Sequence, residues 1–131
     1  MSRHRIRRMI FWLEGVLIQP SGDWETGLLP LLEDLASRVD LGLISGHPPE
    51  AISRLSETAP EAIRTLLAET LPAAPYQALI AEGRLTPGET LIVDHHALRA
   101  GDAIRAGLDS AIYVDPARLA RDLHLWGLVE G

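Results

Sequence analysis

Arg8-Met9-Ile10-Phe11-Trp12-Leu13-Glu14-Gly15-Val16-Leu17 is the stretch on which the reading of this chain turns. From Arg7 to Leu13 it forms an almost continuous apolar run, short enough for a strand buried on both faces. Gly15 breaks that run, and Gln19-Pro20-Ser21-Gly22-Asp23 continues it as a turn-rich loop. The strand thus ends in a polar turn carrying one carboxylate, Glu14, two residues after an indole, Trp12.

Outward from this strand the pattern repeats. Leu41 to Ile44, Thr90 to Val93 and Ser110 to Val114 are further short apolar runs. Between them, helical spacing of Leu28, Leu29, Leu31, Leu32 and Leu35 predicts a helix over Thr26 to Arg38, with Pro30 tolerated near its start. Pro48-Pro49 opens a helix through about Ser56. Pro75 to Glu82 is helical with Gly83 as its C-cap, Ala97 to Ala106 is ended by Gly107, and Pro116 to Leu125 begins with proline. Pro60 to Thr70 is ambiguous: its periodicity is helical, yet Thr65-Leu66-Leu67-Ala68 also suits an edge strand. Short apolar strands alternating with helices predict an α/β fold with a parallel sheet covered on both faces. Such sheets place ligand sites outside the carboxyl ends of their strands. Trp12 to Glu14, Ser45 and Asp94 to His96 all fall there.

The bulk properties narrow the function classes. A chain of 131 residues is expected to form a single domain, 1–131, burying about two-thirds of its unfolded surface. A net charge of −6 supplies no basic field, so no nucleic-acid partner is expected. Arg3, Arg5, Arg7 and Arg8 beside His4 read as a solvated terminus leading into the first strand. Without cysteine there is neither a disulfide framework nor thiolate chemistry. No apolar run approaches the ~18 residues of a membrane span, and the amino terminus lacks the marks of a signal peptide, so a cytoplasmic location is expected. All 12 basic residues are arginine, which removes any mechanism that needs a lysine amine.

Trp12-Leu13-Glu14-Gly15-Val16-Leu17 closely resembles the D-x-D-G-[TV]-L signature that opens the haloacid dehalogenase-like (HAD) hydrolases. Leu41 to Gly46 resembles the second motif of that family, in which Ser45 takes the place of the phosphate-binding Ser or Thr. Leu71-Pro72-Ala73-Ala74-Pro75-Tyr76-Gln77-Ala78-Leu79 resembles the third, with Leu71 at the position of its lysine. Pro87 to His95 is similar to the fourth, P-x-E-x-L-x-V-D-D, with Asp94 as the first acid and His95 replacing the second. Ala103 to Gly107 and Ser110 to Val114 continue the likeness. The resemblance implies a three-layer Rossmann-like sheet of order 3-2-1-4-5, with its third strand near Thr65 to Ala68. It leaves no room for a cap domain, so the cleft is expected to be open, for a large ligand or for a partner subunit acting as lid.

The same resemblance implies a loss of chemistry. In the family the first Asp attacks phosphorus and the second moves the proton, with magnesium and the lysine neutralising charge. Trp12 offers only an indole N–H, Glu14 carries its acid one methylene further out, and Leu71 carries no charge. The expected function is that of a binding, regulatory or structural domain, with Glu14, Ser45, Gly46, Asp94 and His95 as candidate ligand-binding residues. No cofactor is expected. Should magnesium or another divalent metal bind, Glu14, Asp94 and His95 are the candidate ligands, and His95 with His96 could favour zinc. Adjacent histidines rarely both reach one ion, so one is assigned to the cleft and the other to solvent or a helix cap. The alternative function is a divergent metal-dependent phosphatase or hydrolase using Glu14 and Asp94. Ser45 beside His47 fits the family's phosphate-binding Ser better than a nucleophile–base pair. Trp24 and Trp126 are candidate anchors for a protein partner or homodimer, though each also suits the core.

Overall fold

The computed structural model describes residues 6–129. Its strands are β1 (Arg8–Trp12), β2 (Asp40–Ser45), β3 (Thr70–Pro72), β4 (Thr90–Asp94) and β5 (Asp109–Ile112). Its helices are α1 (Leu29–Ala36), α2 (Pro49–Ser56), α3 (Glu61–Leu67), α4 (Tyr76–Ala81), α5 (Ala97–Arg105) and α6 (Pro116–Leu125). All strand pairs are parallel, and the order across the sheet is β3-β2-β1-β4-β5. Helices flank this sheet in a three-layer, Rossmann-like α/β arrangement, with α1 and α3 packed on β2 and α5 on β4 and β5. Among the described residues no helix is long and apolar enough to cross a membrane.

β1 is central because its residues are apolar on both faces. Met9, Ile10 and Phe11 are fully buried, and β1 pairs with β2 from Arg8↔Asp40 to Trp12↔Ile44 and with β4 from Arg8↔Thr90 to Phe11↔Val93. A strand with neighbours on both edges has every ladder group satisfied, which is what a continuous apolar run requires.

The third strand lies further along the chain than the expected Thr65 to Ala68. Thr65 to Leu67 belong to α3, where Ile63 and Leu67, four residues apart, bury one helix face. Arg64 steadies that helix by donating to the Ser56 and Ala59 carbonyls, and the Thr70 hydroxyl donates to the Leu67 carbonyl just beyond its end. β3 is therefore only Thr70–Pro72. Its edge position, paired with β2 alone, accommodates a proline that has no N–H to give.

Other bounds move by a few residues. The helix expected from Thr26 begins as a 3-10 turn, Thr26–Leu28, whose Gly27 N–H is capped by the Glu25 carboxylate. The last strand sits one residue earlier at its start than expected and ends at Ile112. Trp24 and Trp126 are half-buried against the core, and the Trp24 indole donates to the Thr58 hydroxyl at 3.2 Å. Arg3, His4 and Arg5 of the basic stretch lie outside the described residues. Arg7 is exposed, and the Arg8 guanidinium donates to the Arg84 carbonyl at 2.7 Å.

Candidate functional site

Parallel pairing brings the carboxyl ends of β1, β2 and β4 to one edge of the sheet, and with them Trp12, Ser45 and Asp94. A cleft of about 760 Å³ opens above them. Trp12, Glu14, Gly46, His47, Ala73, Tyr76, His95 and Arg99 are among the residues that line it.

At the floor lies Trp12, only 5% exposed. Its indole N–H donates to the Tyr76 hydroxyl at 2.9 Å, and the Arg99 guanidinium carbon sits 3.5 Å from the centre of its ring. A guanidinium stacked this closely is a cation–π contact worth about 0.5–2 kcal/mol. The same guanidinium grips Asp94 with two parallel bonds, Nε to Oδ2 at 2.6 Å and Nη2 to Oδ1 at 2.7 Å. Asp94 is fully buried, and its Oδ1 also accepts the His96 N–H at 3.0 Å. A buried carboxylate is tolerated only with such charge-matched partners. The hydrogen bond to Asp94 in turn raises the Arg99 pKa.

A second cluster surrounds Glu14. Its Oε2 accepts the Ser45 hydroxyl at 2.7 Å and the Gly46 N–H at 3.1 Å, and lies 3.3 Å from His47 Nδ1. The Ser45 oxygen itself accepts the His47 N–H at 2.9 Å, so that hydroxyl is used in both directions. Glu14 Oε1 is shielded from solvent and has no hydrogen-bond partner among the described residues. The turn that presents Glu14 is closed by bonds from Leu17 and Ile18 N–H to the Leu13 carbonyl, and Gly15 adopts φ +87° within it. The His95 ring rests on Gly15 so closely that a Cβ there would collide with it. Only glycine meets both the backbone angle and the contact.

The adjacent histidines take separate roles. His95 lines the cleft with its Nδ1 3.6 Å from Asp94 Oδ1, whereas His96 caps α5 by accepting the Arg99 N–H at 3.3 Å. Leu71 is not at this site. It is buried in β3 opposite Ile44 and lines a separate groove of about 620 Å³ between α2, α3 and β3. Arg99 and Tyr76 were missed by sequence reasoning. A signal existed for Arg99: a cation in the first turn of a helix opposes the helix dipole and needs a nearby anion, here Asp94 five residues back.

As arranged, these residues do not fit a divalent cation. Asp94 has its oxygens committed to Arg99 and His96, and Glu14 Oε2 carries two donors. That leaves Glu14 Oε1 as the one carboxylate oxygen of the candidate ligands without a donor among the described residues, too few for the roughly six or more oxygens a hard divalent cation takes. Among the described residues no group of three or more His, Asp and Glu side chains is placed to hold a metal.

Two buried phenols, Tyr76 in this cleft and Tyr113 outside it, set an alkaline limit on the fold. Burial raises the Tyr76 pKa, outweighing the lowering effect of the Trp12 N–H, and burial also raises Tyr113. Below the ordinary tyrosine value of about 10 both phenols are neutral whether the chain is folded or not. Above it the unfolded chain ionises first, so stability is expected to fall as pH rises. The fall is at most about 1.4 kcal/mol per pH unit for a fully shielded phenol, and less where water screens it. Denaturant titrations between neutrality and pH 11, alongside the phenolate absorbance, check this. Unchanged stability to pH 11 would contradict it.

No protein-family model matches the chain, and no curated protein matches it.

Proposed function

We propose that this chain is a minimal HAD-like domain, without a cap, that does not transfer phosphoryl groups and acts through binding at the open strand-end cleft. One observation carries the reading: Arg99 lies on the Trp12 indole while clamping Asp94. By the resemblance stated above, Trp12 stands where a nucleophilic carboxylate belongs and Asp94 where a metal is held. An internal guanidinium thus occupies the cation position, over an indole that forms no acyl phosphate. Glu14 completes the substitution from the other side, since its carboxylate takes the Ser45 O–H and Gly46 N–H, the donors expected to receive phosphate. Each charge a substrate complex brings is already supplied by a side chain of the protein.

The test is an assay with an aryl phosphate in the presence of magnesium, manganese or zinc. No turnover above background is expected. Turnover that disappears in Glu14→Ala or Asp94→Ala overturns the reading in favour of a divergent metal-dependent hydrolase.

A further inference from the structure

We propose that the cleft takes a small organic cation, an ammonium or amidinium group on an apolar body, with Glu14 as its counter-charge. The inference rests on the reading of the cleft as a binding site without phosphoryl chemistry. The charged groups at the cleft are nearly all matched internally. Arg99 is held by Asp94, and at the rim Arg105 is paired with Asp102. Among the described residues no arginine forms an ion pair with Glu14, and its one ionisable neighbour within 4 Å is His47.

The bonds of Glu14 are also one-sided. Oε2 receives the Ser45 and Gly46 donors and faces His47, whereas Oε1 is buried without a donor among the described residues. A buried carboxylate oxygen without a partner costs free energy that an incoming N–H recovers. Fixing Oε2 with Ser45 and Gly46 also holds the carboxylate in place, so little order is lost when a ligand arrives. The neighbouring imidazoles, His47 and His95, are roughly half-exposed, so the approach to the carboxylate is lined by groups in contact with solvent.

An anion meets the reverse situation. The Ser45 and Gly46 donors are taken, Arg99 is neutralised, and the Glu14 carboxylate repels it. The apolar part of the ligand has its own surface in Ala73, Ala74 and Pro75, along the segment leading into α4. A cleft of about 760 Å³ with one dominant charge and an apolar wall has the size and character of a small-molecule site.

Benzamidine, benzyl alcohol and phenyl phosphate share an aromatic body and differ in charge, so they are the probes. Titrations of the ¹⁵N-labelled full chain are expected to show saturable shifts at Gly46, Ala73 and Ala74 with benzamidine. Benzyl alcohol and phenyl phosphate are expected to bind at least tenfold more weakly. Glu14→Gln is expected to weaken benzamidine about tenfold to a hundredfold, the worth of a charged hydrogen bond. Should Glu14→Gln disturb folding, the charge series on the wild-type chain decides alone, together with weakening of benzamidine binding by salt. Equal binding of benzamidine and benzyl alcohol, tighter binding of phenyl phosphate, or no saturable binding of benzamidine each overturns the inference. Hydrolysis of phenyl phosphate overturns the proposed function itself, whereas absence of both binding and hydrolysis removes only the ligand assignment.

Discussion

Arg99→Met is expected to destabilise the protein by about 3 kcal/mol, the low end of what breaking a buried ion pair costs. The low end applies because Arg99 is about a third exposed, so water reaches its side of the pair. Asp94, in contrast, is wholly buried and would keep only the His96 N–H on Oδ1, leaving Oδ2 without a donor. Methionine fills part of the space over Trp12, so the loss reports the missing charge more than missing volume. The measurement is urea denaturation of the wild type, Arg99→Met, Asp94→Asn and the double variant. Removing both charges together is expected to cost less than the sum of the single changes, by about 2 kcal/mol or more, because the double variant leaves no orphaned ion. Additive effects would show that Asp94 does not depend on Arg99, and the account of an internal cation would fail.

Much of the fold was legible because each central strand is both short and apolar throughout. β1, β2 and β4 carry side chains that are buried on both sides of the sheet, which leaves no ambiguity of period. β3 was misplaced because the apolar run Leu66-Leu67 belongs to the end of a helix, while the strand itself is three residues with a single buried leucine. An edge strand that short carries almost no periodic signal. At the site, Trp12, Glu14, Ser45, Gly46, Asp94 and His95 meet because each closes a strand or lies just beyond its end, and strand ends are readable. Arg99 and Tyr76 arrive from helices. Arg99 leaves a faint local signal as a cation in the first turn of α5, whereas nothing in the pattern marks Tyr76, which is brought in by its hydrogen bond with Trp12. Leu71 shows the converse: a position picked by motif likeness lies within a strand, opposite Ile44 and away from the cleft.

The largest stability loss at a single position is expected at Trp12. Trp12→Ala should cost about 3–5 kcal/mol, the range for removing a large aromatic side chain from a core. Three contributions combine there: the buried indole, the hydrogen bond to the Tyr76 hydroxyl and the stack beneath Arg99. Trp12→Phe separates them in part, since it keeps one aromatic ring under the guanidinium while removing the N–H and the second ring of the indole. A smaller loss of about 1–2 kcal/mol is expected there, as the Tyr76 hydroxyl, itself buried, loses its donor. Free indole added to Trp12→Ala should refill the space and raise its melting temperature, as apolar cavities bind matching ligands. No rescue by indole, with a loss below about 1 kcal/mol in Trp12→Ala, would mean that the indole is not a structural plug. Trp12→Asp is the sharper case. It restores the carboxylate expected from the HAD resemblance, yet it sets that charge beside buried Asp94 while Arg99 still holds the cation position. Nor does pairing it with Leu71→Lys help, because a side chain from that point of β3 starts in a different groove. Trp12→Asp, alone or with Leu71→Lys, is therefore expected to be less stable than Trp12→Phe and to remain without phosphatase turnover. Turnover in either variant would show that Arg99 yields its place readily to a metal.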